Sequence, residues 1–146
     1  MDAVLGRCEV QMPVAEQGRL GVIEFQAMIE GHDCLFQDTF CEDEDRETAI
    51  EQCLMRLRVF YRLANNPEQM KSCRNILIEN MDFHRTLYPK VRLSEDELKA
   101  GARLTGVAVN DGDEAWFKFF HPNFMEGRTI TIEVDADGTA SNLGVS

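Results

Sequence analysis

The spacing of apolar positions changes twice along the chain, from a period of two to about 3.6 and back to two, which marks three blocks. In the first, Val22, Glu24, Gln26 and Met28 alternate with Ile23, Phe25, Ala27 and Ile29. This predicts a half-buried strand over 22–29 that ends at the Gly31-His32-Asp33 turn, with 34–40 as its hairpin partner. Residues 5–12 offer an earlier strand, cut short by Pro13.

The middle block opens with Glu42-Asp43-Glu44-Asp45, whose charge suits a helix N-terminus. Ile50, Cys53, Leu54, Leu57, Phe60, Tyr61 and Ala64 then recur at steps of three and four, predicting a helix over 46–64 that stops at Asn65-Asn66. Asn66-Pro67-Glu68-Gln69 combines an N-cap, a proline in the first turn and a capping-box glutamine. It starts a second helix over 67–88, with Met70, Cys73, Leu77, Met81, His84 and Tyr88 as its stripe and Pro89 as its stop. The two helices are expected to pack as an antiparallel pair through these stripes. Ser94-Glu95-Asp96-Glu97 opens a short third helix running to about Arg103.

Period two returns over 104–110, 115–120, 129–134 and 141–145, with turns at Asp111-Gly112 and at Asp135-Ala136-Asp137-Gly138. Strands, then helices, then strands make an α+β fold. The expected layout is a largely antiparallel sheet, built from the N-terminal hairpin and a C-terminal meander, with two long helices and one short helix on one side. Residues 1–146 are read as one domain.

Composition narrows the partners. Fifteen Lys and Arg against 26 Asp and Glu give a net charge of −11, which disfavours nucleic acid and anionic membrane. No apolar run is long enough to span a bilayer, and Met1-Asp2-Ala3-Val4 lacks the character of a signal peptide, so the expected setting is the cytoplasm. Charge is also segregated: residues 56–92 hold eight basic and three acidic side chains, leaving −16 elsewhere.

Chemistry-bearing residues are sparse. Cys8, Cys34, Cys41, Cys53 and Cys73 contain no C-x-x-C pair, so neither a disulfide framework nor a zinc ribbon is indicated. His32, His84 and His121 are scattered, without metal-binding spacing. Asp135-Ala136-Asp137-Gly138 resembles the start of a calcium loop, but Ser146 occupies the twelfth position, where a bidentate Glu is required, so a hairpin turn is the better reading. No catalytic, cofactor or metal residue is assigned. One nucleophilic arrangement stays open, His84 beside Cys73 or Cys53, should their helices bring them together.

Partner-binding candidates come from two features. Glu42, Asp43, Glu44 and Asp45 form the densest acidic run, with Asp111, Asp113 and Glu114 next. Trp116, Phe117, Phe119, Phe120 and Phe124 concentrate five of the twelve aromatics within nine residues, and Trp116 is the natural anchor of an interface.

Phe119-Phe120-His121-Pro122, Phe124, Gly127-Arg128-Thr129-Ile130, Asp135-x-Asp137-Gly138 and Leu143-Gly144 together resemble small bacterial domains that recur as immunity proteins beside polymorphic and contact-delivered toxins. The order of elements is similar over nearly the whole chain. Specific residues match over about the last forty, with Arg128 where that pattern usually has His. The resemblance implies a protein without enzymatic activity that neutralises a cognate toxin by binding it, and the acidic excess suits a toxin with a basic surface. Alternatives of other classes are a small enzyme with a Cys/His site and a structural or adaptor subunit.

Overall fold

The computed structural model describes residues 9–11, 20–41, 45–110 and 113–145. Seven strands form one sheet in chain order: β1 (Glu9–Gln11), β2 (Leu20–Ile29), β3 (His32–Cys41), β4 (Arg103–Asn110), β5 (Glu114–Phe120), β6 (Ile130–Asp135) and β7 (Ala140–Val145). Neighbours are antiparallel except β3 and β4, which are parallel. A parallel pair requires a crossover. That crossover carries α1 (Arg46–Ala64), α2 (Pro67–Glu79), α3 (Met81–Leu87) and α4 (Glu95–Gly101), so the helices gather on one face and the fold is α+β. No helix among the described residues is long and apolar enough to cross a membrane.

Alternation decides which face is covered. Ile23, Phe25, Phe36, Val107, Ala115, Phe117, Phe119, Ile130, Ile132 and Val134 face the helices and are buried. Phe25 stacks on Phe36 with centroids 4.8 Å apart, Tyr61 of α1 meets both edge-on, and Phe60 meets Phe117. Burial of the α1 and α2 stripes at Leu57, Phe60, Met70, Cys73 and Leu77 closes the core. α1 and α2 contact each other and pack on the sheet as well, α1 on β3 and α2 on β7, so their apolar stripes serve both contacts.

Local chemistry accounts for the other departures. The helix expected over 67–88 breaks at Asn80, whose side chain donates to the Ile76 carbonyl at 2.8 Å and whose backbone N–H turns back to Leu77. A short polar side chain competes with the helical ladder in this way. The stripe nevertheless continues across the break, since Met81 and His84 remain buried. Asn66 caps α2 by accepting from the N–H groups of Glu68 and Gln69. The Gln69 side chain does not complete the capping box. It is buried instead, donates to the Cys73 sulfur, and its Oε1 lies where a Cβ on Gly138 would intrude. α4 ends at Gly101, and Arg103 already opens β4.

The first hairpin turns at Glu30-Gly31, both at positive φ, as a mirror-image two-residue turn demands, so His32 and Asp33 belong to β3. In β4 a bulge at Thr105 shifts the register between Leu104 and Gly106. Leu104 and Val107, three residues apart, can therefore both face the core.

Candidate functional site

The strand directions bring several described acidic residues to one end of the sheet. β3 and β4 run parallel as neighbours, so their last residues, Cys41 and Asn110, lie at the same end, and Asp45 and Asp113 are the first described residues after them. β5 begins at that end with Glu114, and β6 finishes there with Asp135 before the turn through Asp137. Among the sequence candidates, Asp45, Asp113, Glu114 and Trp116 lie within the described residues; Glu42, Asp43, Glu44 and Asp111 lie outside them.

Asp45 is exposed and flanks the start of α1, where its carboxylate accepts from the Thr48 hydroxyl at 2.9 Å. Asp113 is exposed at the β4–β5 turn. Glu114 stands opposite Asp135 across the β5–β6 pair and accepts from Asn110 at 3.0 Å. Glu133 joins them, and carboxylate oxygens of Glu114, Glu133 and Asp135 lie within 4.8 Å of one another. Such a group suits the ammonium or guanidinium of a partner, or a hard cation. Asp137 lies just beyond; its carboxylate accepts from the Thr139 N–H at 2.9 Å, which holds its pKa below the usual carboxylate value.

Trp116 sits directly opposite Glu133 on β6 and Ala108 on β4, on the sheet face away from the helices. Its ring is half-buried, with Lys118 two positions on and Phe120 four, and its indole N–H is buried with no hydrogen-bond partner among the described residues. The same face carries Glu24, which accepts from Gln37 at 2.9 Å, and the exposed Met28. The helices therefore cover one side of the aromatic strand only. In the sequence Asp135 and Asp137 read as a hairpin turn resembling the start of a calcium loop, and Glu133 as an ordinary outward strand position; the strand register is what unites Glu133 and Asp135 with Glu114.

The Cys/His arrangement does not form. Cys53 is fully buried, its thiol facing the Thr39 carbonyl while Arg56 donates to its sulfur at 3.2 Å. Burial, reinforced by the Asp38 carboxylate, pushes the Cys53 thiol up to about 12. Cys73 pairs with Gln69, and burial raises its thiol to about 11. His84 meets neither. It is buried between Tyr88 and Phe124, and its Nδ1 accepts from the Met125 N–H at 3.0 Å. Burial lowers its pKa, with help from Arg85 and His121. A thiol held protonated is a poor nucleophile.

Asp38 is the buried charge that sequence reasoning missed. It points inward from β3 and bonds Arg56 of α1 at 2.8 Å, tying helix to sheet; burial raises its carboxyl pKa while Arg56 opposes that rise. Its position on the apolar side of the β3 alternation was the available signal. No family model, no curated protein and no solved structure matches the chain.

Proposed function

We propose that this protein is a toxin-neutralising immunity protein that acts in the cytoplasm. It binds a cognate toxin with a basic surface through the acidic end of the sheet and the adjoining face around Trp116. The observation that carries this reading is the convergence of acidic groups from separate stretches of chain, Asp45, Asp113, Glu114, Glu133, Asp135 and Asp137, beside a partly exposed tryptophan. Clustered charge of one sign speeds encounter with a complementary surface, and a large aromatic supplies contact area once the surfaces meet. Inhibition then follows from covering the toxin's active site or blocking a movement it needs, without chemistry by the inhibitor. The resemblance of the C-terminal motifs to immunity domains points the same way.

The test is protection. Cells producing the toxin encoded beside this protein should survive when it is present. They should lose that protection when Glu114, Glu133 and Asp135 become Gln, Gln and Asn and Trp116 becomes Ala, provided the variant stays folded. Full protection by the folded variant would remove this surface from the function.

A further inference from the structure

The other end of the sheet has the opposite character. The Glu30-Gly31 turn, the end of α4 and the start of β4 enclose a cleft of about 270 Å³. Arg74, Lys99, Arg103 and His32 line it, against the single carboxylate of Glu30. In a chain of net charge −11 such a grouping is not what composition alone would place together.

The cations are arranged unequally. Arg74 is anchored, because its two terminal nitrogens bond both Glu30 oxygens at 2.9 and 2.7 Å and one of them also donates to the Ala102 carbonyl at 3.0 Å. Its guanidinium lies 5.9 Å from the Phe119 ring centre, and its Nε is buried without a partner among the described residues. Glu30 makes this pair from a left-handed backbone, φ 52°, which a residue with a side chain adopts at a cost. The Glu30 charge is thus engaged by Arg74. Lys99 and His32 are exposed and make no hydrogen bond or ion pair among the described residues; Arg103 rests over the Phe120 ring at 5.4 Å and is likewise without a carboxylate.

We infer that this cleft is a binding site for an oxyanion, a phosphate or carboxylate group of a small ligand, held by Lys99 and Arg103 over the platform formed by Arg74 and Glu30. Arg103 supplies the planar fork that matches two anion oxygens, and Lys99 a mobile point charge. The Arg74–Glu30 pair is neutral overall, so Lys99 and Arg103 supply the net positive charge of the cleft. Gly101 belongs to this wall, where a Cβ would collide with the His121 ring, so the backbone there is shaped by close approach. The site lies at the opposite end of the sheet from the proposed toxin surface and stands or falls independently of it.

The experiment is an amide NMR titration of the whole protein with inorganic phosphate and, separately, acetate, each against sodium chloride of equal ionic strength. Saturable shifts confined to residues 30–32 and 99–104 are expected, at least tenfold weaker in K99S/R103S and also weakened in K99S alone, since both side chains are exposed and their loss should leave the fold intact. Phosphate should also raise the melting temperature of the wild type and not of the double variant. Saturation by acetate as well as phosphate would assign a general oxyanion site, and saturation by one alone would assign that group. Shifts spread over all surface cations without saturation, or equal affinity in wild type and double variant, would overturn the site.

Discussion

The helix-covered face and the acidic end of the sheet treat polar groups in opposite ways. On the covered face the buried polar side chains bond groups of complementary kind: Asp38 has Arg56, the His84 Nδ1 has the Met125 N–H, and Gln69 has Cys73, while the His84 Nε2 is left without a partner among the described residues. At the acidic end Glu114, although it accepts from Asn110, faces Asp135 across two strands with Glu133 beside them. Like charges directly opposite in a sheet destabilise it. Folding alone would not favour that placement, so the difference separates the part of the molecule that makes the fold from the part we assign to a partner.

The largest effects should come from breaking the covered face. Leu57→Ala and Leu77→Ala each remove a buried side chain and should cost about 2–5 kcal/mol of unfolding free energy. Asp38→Ala leaves the part-exposed Arg56 without its carboxylate partner at the helix–sheet junction and should cost about 1–3 kcal/mol. Denaturant midpoints at unchanged slope measure these losses, and values below about 0.5 kcal/mol would mean that the packing described is not the one that stabilises the protein.

A smaller effect is tied to pH. His84 has a folded pKa below its ordinary 6.5, so the unfolded chain binds the proton more readily. Its contribution to stability is present above pH 6.5 and is lost as pH falls through that value toward the folded pKa. The melting temperature of the wild type should fall over this window, and His84→Gln should flatten the profile even if it lowers it everywhere. Parallel profiles would assign the pH dependence to other groups.

The smallest effect has the opposite sign. Asp135→Asn relieves the repulsion facing Glu114 and should raise stability by a few tenths of a kcal/mol, up to about 1 kcal/mol. A loss of stability would show that the acidic end contributes to the fold and would erase the contrast drawn above.

The two regions were also unequally legible in the sequence. Apolar periodicity located α1 with both its boundaries, and the β5 alternation of Ala115, Phe117 and Phe119, because packing on one face enforces period directly. Features set by a single side chain or an extra residue escaped: the Asn80 break, the inward Gln69 and the Thr105 bulge each replace a regular pattern with a local bond or insertion. The acidic end was legible only in part. Asp113, Glu114 and Trp116 stood out as charge and aromatic density, whereas Glu133 and Asp135 acquire meaning through register across strands, which pairs residues about twenty apart in sequence. The parallel β3–β4 pairing, which puts the ends of both strands on one side of the sheet, depends on a crossover of some sixty residues that no local pattern encodes.

The central claim is that the acidic end receives a basic partner, and stopped-flow association with the cognate toxin we propose tests it most directly. Wild type and the Glu114→Gln, Glu133→Gln, Asp135→Asn variant would be compared at low salt and at 1 M salt, where the Debye length has fallen to about 3 Å. We expect the variant to associate several-fold more slowly than wild type at low salt and at nearly the same rate at high salt, with dissociation changed little. Equal association rates for the two proteins at low salt would contradict the account.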